Sequence, residues 1–460
     1  MILSIILAAG EGTRMKSKLP KVAHKVCGKP LLSHVIDCAK DANIDKNVVV
    51  IGYKGDIVKE SIDNEDVLFV EQQVGEGLPY GTGYAVMQAK EHIEDDSFVV
   101  VLCGDTPLIT SETIKAFTKF HIDGGFGATV LTSEISNPTG YGRIIRDNNG
   151  NVSGIVEEKD ATEEQRKITE VNSGIYCFKG KELKTALEKI DNNNAQKEYY
   201  LTDAIHILGN EDFKIGGYKI EDSGEIQGIN SKVQLAEAEK IMRKRTNERL
   251  MLEGAIIIDP ESTYIDKNVK IGIDTVIHPG VVIEGNTEIG EDCIIGQNTR
   301  IKNSKIGNKV EIQISNIVDS KVEDDCHIGP FANLRPNSNL GRNVKIGDFV
   351  EVKNSTISDN SKASHLSYIG DSEVGKNVNI GCGVVFVNYN GKDKNKTIVK
   401  DNTFIGCNSN LISPVIINEN SYVAAGSTIT NNVEEYSLAI ARSRQENKEN
   451  WVTKKGLIKK

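Results

Sequence analysis

The chain has 460 residues, with 55 lysines and arginines against 65 aspartates and glutamates and a formal net charge of -10. That length exceeds what one hydrophobic core serves, so two or more domains are expected, and the acidic balance argues against a nucleic-acid partner, whose phosphates demand a basic face. No apolar run approaches the roughly 20 residues of a membrane span, the opening MILSIILAAG lacks the basic segment and cleavage site of a signal peptide, and eight scattered cysteines with no CxxC pair fit reduced thiols in a cytoplasmic protein.

The first half alternates apolar strand-like runs with helical stretches. Strands are predicted over residues 2–8, 47–51 and 98–103, and helices around 31–40 and 82–92. This alternation indicates an α/β domain with a mostly parallel, Rossmann-like sheet, whose ligands bind beyond the carboxyl ends of the strands. The first strand runs into Leu7, Ala8, Ala9, Gly10, Glu11, Gly12, Thr13, Arg14 and Met15, followed by Leu19-Pro20-Lys21 and Gly28-Lys29-Pro30. A strand entering a loop of small residues brings backbone N–H groups close to phosphate, with Arg14 and Lys21 supplying charge. The loop has neither GxGxxG nor Walker spacing. The apolar run 98–103 ends in Gly104-Asp105, which sets a carboxylate at the binding edge where it can hold Mg²⁺; a lone aspartate there is more often a turn former.

Residues 231–254 change character, with helix formers throughout, Ser231 placed to cap the start and Gly254 to end it. They predict a long connecting helix at the domain boundary, or else the last helix of the first domain. From residue 271 a six-residue period takes over: Ile271, Ile277, Ile283, Ile289, Ile295 and Ile301, returning at Leu340, Ile346 and Val352, at Val374 and Ile380, and from Ile405 to Ile429. A helix of 3.6 residues per turn cannot keep every sixth residue inward, whereas a short strand and a tight turn can. Small residues four places on, such as Thr275, Cys293, Thr299, Ser409 and Ser427, are expected beside the aliphatic interior. A polar loop is predicted to leave the prism over 386–397, and a basic tail including Lys454, Lys455, Lys459 and Lys460 is expected to be solvated, or else to meet the phosphates of a ligand.

The combination LAAGxGTRM, LPK and GKP resembles the signature of sugar-1-phosphate nucleotidyltransferases, and the six-residue repeat resembles the left-handed parallel β-helix of hexapeptide-repeat acyltransferases. The handedness comes from that resemblance, since general rules favour a right-handed crossover. The first resemblance implies nucleoside triphosphate binding by Leu7, Ala8, Ala9 and Gly10, phosphate contact by Lys21, and charge neutralisation by Arg14. It also implies that Asp105 and Asn230, the latter in Glu225-Ile226-Gln227-Gly228-Ile229-Asn230, hold a metal ion. Gly140, Glu157 and Asn172 fall in loops similar to the sugar-binding set of N-acetylglucosamine-1-phosphate uridyltransferases. Gln72, Gly81 and Thr82 resemble their uracil-binding elements, although VGEGLPY makes the intervening loop about four residues longer than usual, and Cys103 stands where the family often has tyrosine.

In the second half, Lys362-Ala363-Ser364-His365-Leu366-Ser367-Tyr368-Ile369-Gly370-Asp371 is similar to KAGHLxYxGD of glucosamine-1-phosphate acetyltransferases. That implies His365 as general base, since imidazole can take an amine proton near neutral pH. It further implies Arg335, Lys353, Tyr368 and Asn379 for the amino-sugar phosphate, and Asn388, Tyr389, Cys407, Ala425 and Arg442 for acetyl-CoA, with Cys407 replacing a common serine and given no covalent role. The chain is thus identified as resembling, over its whole length, the bifunctional bacterial uridyltransferase/N-acetyltransferase family. That implies a uridyltransferase domain over 1–231, a helical linker over 232–252 and a β-helix acetyltransferase domain over 253–460. Mg²⁺, UTP and acetyl-CoA are the implied cofactor and co-substrates, and a homotrimer the implied assembly. A prism that only oligomerises or regulates would need neither His365 nor Lys353, Asn379 and Asn388-Tyr389, and a non-catalytic subunit would not need Lys21, Asp105 and Asn230.

Overall fold

The computed structural model of the chain describes residues 1–62, 66–75 and 77–458. Glu76 of the lengthened loop, and Lys459 and Lys460 of the tail, lie outside the described residues. The chain divides into two compact units, Met1–Met242 and Arg243–Lys460, each described by itself.

The first unit is built on β1 (Ile2–Ala8), β2 (Lys46–Ile51), β3 (Leu68–Glu71), β4 (Phe98–Cys103), β5 (Ala128–Glu134), β6 (Arg143–Arg146), β7 (Val152–Val156), β8 (Glu170–Lys179) and β9 (Ile215–Ile220), in the sheet order β9-β5-β8-β4-β1-β2-β3 with the β6–β7 hairpin paired to β8. β1 runs parallel to both β2 and β4, while β8 is antiparallel to β4 and β5. The central strands are apolar almost throughout because both faces are covered. Leu3 and Ile5 join one core with Val99 and Val101, and Ile6 and Ala8 join the opposite core with Val100 and Leu102. Each such buried aliphatic side chain contributes about 1.5–3 kcal/mol relative to exposure, and together they fix the sheet edge at which β1 and β4 end.

The helices include α1 (Leu31–Asp41), α2 (Gly55–Ser61), α3 (Thr82–Gln88), α4 (Ser111–Gly124), α5 (Gly180–Leu187), α6 (Asp203–Asn210) and α7 (Lys232–Leu252). The predicted helix 82–92 is two pieces, because a separate 3₁₀ turn, Lys90–His92, follows α3. α7 starts as its sequence suggests. Ser231 Oγ accepts from the Gln234 backbone N–H at 3.2 Å, and Gln234 Oε1 accepts from the Asn230 N–H at 2.8 Å, satisfying two otherwise orphaned donors. Beyond its end Gly254 takes φ +111°, and the division between the two units falls inside the helix.

The second unit is a left-handed parallel β-helix with three faces, of eleven, ten and nine short strands, that begin at Ile256–Ile257, Tyr264–Ile265 and Lys270–Ile271. The pairing places aliphatic over aliphatic, as in Ile277 against Ile295 and Ile283 against Ile301, all four fully buried. Thr275, Cys293, Thr299, Ser409 and Ser427 are also fully buried. Corners demand left-handed backbone, and asparagine and aspartate tolerate it best after glycine. Asn343, Asn360, Asn377, Asn402 and Asn420 all have positive φ at one corner, where Asn377 donates to Asn402 and Asn402 to Asn420, each at 3.1 Å.

The period is less regular than expected. Strands start before residue 271, and the stretch between Ile301 and Leu340, where the six-residue spacing lapses, is still prism: Ile306, Ile312, Ile317, Val322, Ile328 and Leu334 are buried in it. Several of those steps are five residues long, because a corner can lose one residue without disturbing the stack. The excursion is also shorter than the predicted 386–397. Val385–Val387 and Thr397–Val399 are strands, Phe386 is fully buried, and only 388–396 leaves the prism.

Candidate active sites

In the first unit, β1 and β4 deliver their loops to one edge. Leu7, Ala8, Ala9, Gly10, Lys21, Gln72, Gly81, Thr82, Cys103 and Asp105 line a cavity of about 210 Å³, together with Val22, Tyr80, Ala85 and Glu198. The loop after β1 lies tight on Lys21 only because residue 12 is glycine: at φ +63° a Cβ there would stand 2.6 Å from Lys21 Cβ. Gly81, at φ +124°, likewise lets α3 start against Tyr199, whose carbonyl oxygen a Cβ would meet at 2.4 Å. Gln72 is almost wholly buried, and its N–H donates to the Ile51 carbonyl at 2.7 Å.

A second cavity of about 200 Å³ shares Leu7, Thr82 and Cys103 with the first and is lined by Gly140, Glu157 and Asn172, with Tyr141, Ser173, Tyr176 and Thr202 among the others. Asn172 Nδ2 donates to the Tyr176 hydroxyl at 2.7 Å and Asn172 Oδ1 accepts from the Gly174 N–H at 3.0 Å, so the amide is fixed. Burial, with Asp160, Asp203 and Glu198 nearby, raises the Glu157 carboxyl above its ordinary value against a hydrogen bond from Thr202. Burial, helped by Asp105, pushes the Cys103 thiol up to about 12, and its Sγ faces the Gly174 carbonyl at 3.4 Å. A thiol therefore fills the place of the family's tyrosine and stays neutral.

Arg14, Lys21, Asp105 and Asn230 form one cluster. The Lys21 ammonium pairs with Asp105 Oδ2 and donates to Asn230 Oδ1 at 3.0 Å, while Arg14 Nη2 donates to the same Asn230 oxygen at 2.9 Å. Arg14 and Asn230 line neither cavity. A carboxylate and an amide oxygen converging on one ammonium make an oxygen-only donor pair that attracts a cation, and hard donors of this kind suit Mg²⁺ when substrate phosphates complete the shell. Among the described residues no group of three or more His, Cys, Asp or Glu could hold a metal by itself. Tyr80, Tyr176 and Glu198 were not foreseen from sequence, since no motif marks them; Tyr176 is delivered by β8, and Tyr80 and Glu198 flank the contact of Tyr199 with Gly81 and Gly83.

In the second unit, one column follows the corner between the first and second faces. Asp348 is paired with His365, and the same register continues through Cys382, Cys407 and Ala425, since Asn408 N–H donates to the Cys382 carbonyl at 2.7 Å and Gly426 N–H to the Cys407 carbonyl at 2.8 Å. Arg442 reaches back to within 3.8 Å of where a Cβ on Gly426 would stand. His365 Nδ1 and Asp348 Oδ1 lie 2.6 Å apart. Neither Asp348 nor Cys382 carries a sequence signal of its own; each appears only when the coils are laid in register.

Arg335, Lys353, Tyr368 and Asn388 gather on the second face and its far edge. Arg335 Nη1 pairs with Glu351 Oε1 at 2.8 Å, and Asn388 Nδ2 donates to the Tyr368 hydroxyl at 3.3 Å and also to Asp371. Lys394, unforeseen, comes back on the loop, and its ammonium, with burial and Arg335 contributing less, lowers the Lys353 ammonium below its ordinary value. Two ammonium groups so close, with Asp371 offsetting them in part and Glu351 taken up by Arg335, make a place that favours a phosphate. Tyr389, whose hydroxyl donates to the Gly391 carbonyl at 2.7 Å, projects from that loop, and Asn379 lies on the first face paired with Lys362. These residues lie open to solvent: the His365 side chain is 61% exposed and Arg335 44%. Beside His365, Phe331 and Phe349 stack at 5.2 Å and, with Leu366, form an exposed apolar strip. The tail over 443–458 is exposed.

Residues 3–227 match the nucleotidyl transferase family, and 268–303, 319–354 and 396–431 match the bacterial transferase hexapeptide (six repeats) family. The chain is 59% identical over 459 residues to the bifunctional protein GlmU of Alkaliphilus oremlandii, covering 99% of each chain, and 56% identical over 452 residues to that of Clostridioides difficile, covering 98% of this chain and 97% of the relative. A crystal structure of UDP-glucose pyrophosphorylase complexed with UDP-glucose matches 53% of this chain and all of its own, at 19% identity and a TM-score of 0.45.

Proposed function

The chain belongs to the bifunctional GlmU proteins, and from that premise we propose how its residues share the two steps that lead to UDP-N-acetylglucosamine. It is a transferase with two activities, N-acetyltransferase and nucleotidyltransferase. We assign uridylyl transfer to residues 1–231 and acetyl transfer to 253–460, with 232–252 as the linker.

In acetyl transfer, the amine nitrogen of glucosamine-1-phosphate attacks the thioester carbon of acetyl-CoA. His365 Nε2 takes the amine proton as the N–C bond forms, the C–S bond breaks, and the CoA thiolate leaves and is protonated. Arg335, Lys353, Tyr368 and Asn379 hold the sugar phosphate; Asn388, Tyr389, Cys407, Ala425 and Arg442 hold acetyl-CoA. The crowding of Lys353, Lys394 and Arg335 supports an anionic substrate here.

In uridylyl transfer, a phosphate oxygen of N-acetylglucosamine-1-phosphate attacks the α-phosphorus of UTP in line, and the bond to the β-phosphate oxygen breaks to release diphosphate. Leu7, Ala8, Ala9 and Gly10 cradle the nucleotide, Gln72, Gly81 and Thr82 meet the base, and Gly140, Glu157 and Asn172 meet the sugar. Lys21 and Arg14 offset charge that builds between two anions. Asp105 and Asn230 would hold Mg²⁺, which when bound neutralises phosphate charge.

The observation that carries this reading is the gathering of nucleotide and sugar residues in two adjoining cavities of the first unit. The open site and the exposed strip beside His365 support completion by neighbouring copies in a trimer. The substrates are small molecules. Among the described residues no helix is long and apolar enough to cross a membrane, and free cysteines support a cytoplasmic location. The test supplies each substrate in turn. Free CoA is expected from glucosamine-1-phosphate and acetyl-CoA without UTP, and diphosphate from N-acetylglucosamine-1-phosphate and UTP without acetyl-CoA. His365→Ala is expected to abolish only the first reaction, and EDTA only the second; a His365→Ala enzyme with undiminished CoA release sinks the assignment of the base.

A further inference from the structure

On the first face of the prism, the strands are two residues long except for two neighbours, Lys345–Asp348 and Lys362–His365, of four residues each. The extra length carries the pairing on to Asp348 opposite His365. One residue further, Leu366 N–H donates to the Asp348 carbonyl at 2.8 Å, so backbone on both sides of the pair locks its register. Asp348 Oδ1 then stands 2.6 Å from His365 Nδ1. Among the described residues no protein hydrogen bond occupies His365 Nε2.

We propose that Asp348 is a positioning residue for the acetyl-transfer base: by accepting the Nδ1–H of His365 it fixes the ring and the tautomer that leaves the Nε2 lone pair free for the amine proton, and it stabilises the imidazolium once that proton arrives. The inference rests on the reading of His365 as the base. An imidazole without a partner divides its proton between two nitrogens and rotates about its side-chain bonds; a fixed carboxylate removes both freedoms. The hydrogen bond from His365 holds the Asp348 carboxyl below its ordinary value, so the acceptor stays charged where the base works. Both side chains are partly exposed, at 61% for His365 and 41% for Asp348, which makes the pair a weak contributor to stability while leaving its orienting effect intact. Proton movement is unchanged in kind: the proton leaves the sugar amine for Nε2 and departs with the CoA thiolate, and Asp348 is never protonated.

The experiment uses the full chain with Asp348→Ala, Asp348→Asn, His365→Ala and the double variant. Expected are a fall of about 10- to 100-fold in kcat for acetyl transfer in Asp348→Ala, KM values for both substrates within about twofold, a smaller loss in Asp348→Asn, whose amide oxygen still accepts, and unchanged uridylyl transfer as the control for folding. The double variant is expected to be no slower than His365→Ala alone. Side-chain ¹⁵N NMR of His365 is expected to report the Nδ1-protonated tautomer in the parent and a mixture in Asp348→Ala. Full acetyl-transfer kcat in Asp348→Ala, an unchanged tautomer, or a further loss in the double variant overturns the positioning role while His365→Ala remains inactive. Activity surviving in His365→Ala overturns the base and this inference together.

Discussion

Cys407 sits exposed on the column above His365, at a place where the resemblance leads one to expect serine. A hydroxyl and a thiol differ there mainly in hydrogen-bond strength, so Cys407→Ser is expected to change acetyl transfer by no more than about twofold, and a loss of activity measured as CoA release would give the thiol a part in binding. Cys103 is the opposite case: burial and Asp105 keep its thiol neutral, and it fills space between the two cavities. Glu157 is tested through its substrate. Its carboxyl is raised above the ordinary value by burial, with Asp160, Asp203 and Glu198 adding to it, and on the proposed assignment it accepts from the sugar hydroxyls. Glu157→Gln keeps the shape and loses the charge-assisted acceptor, worth about 1.5–3 kcal/mol. The KM for N-acetylglucosamine-1-phosphate is expected to rise about 10- to 100-fold, with the UTP KM unchanged; equal effects on both would place Glu157 outside the sugar site.

At the scale of elements, the β6–β7 hairpin is tied to β8 by Arg146, whose Nε and Nη2 donate to Glu170 Oε2 and Oε1 at 2.8 and 2.6 Å. Burial alone would raise the Glu170 carboxyl, but hydrogen bonds from Arg146 and Thr132 more than offset it, and the net shift is downward. A depressed acid contributes stability that is complete above its unfolded value, about 4.3, and fades as pH falls through the native value. Glu170→Gln is therefore expected to cost about 1 kcal/mol at neutral pH and little in strong acid. Urea unfolding at both conditions checks this, and a cost that grows on acidification would refute it. β1, β2 and β4 were legible because they are buried on both faces and read as nearly unbroken apolar runs, whereas β3 and β5 to β9, shorter or more mixed in polarity, were not predicted. The coils between Ile301 and Leu340 were hidden by five-residue corners, which break the count without breaking the stack. Asp348 and Lys394 were hidden for a related reason: their partners lie on other coils, 17 residues away for Asp348 and His365, or across a loop, where no local motif records them. Arg14, Lys21, Asp105 and Asn230 were legible in kind from their motifs, but the convergence of Arg14 and Lys21 on one Asn230 oxygen, with Asp105 paired to Lys21, is a property of the fold.

At the scale of the whole molecule, sedimentation of the intact enzyme is expected to give three chain masses, and Phe349→Lys, which places a charge in the exposed apolar strip, is expected to weaken that association and lower acetyl transfer more than uridylyl transfer. A monomer with full acetyl-transfer activity would refute the need for neighbours at that site. The column from His365 through Cys382, Cys407 and Ala425 to Arg442 has one further consequence. Parallel strands stack about 4.8 Å apart, so four steps carry the backbone about 19 Å from His365 to Arg442. On the proposed assignment of these residues to acetyl-CoA, the stack would act as a gauge, with the reacting acyl group at one end and a cation for phosphate at the other, so that an acyl donor is sorted by reach as well as by contact. A short thioester with no phosphate end spans only the first steps, and deletion of one whole coil would shorten the gauge by a rung while leaving every remaining turn as well packed as before.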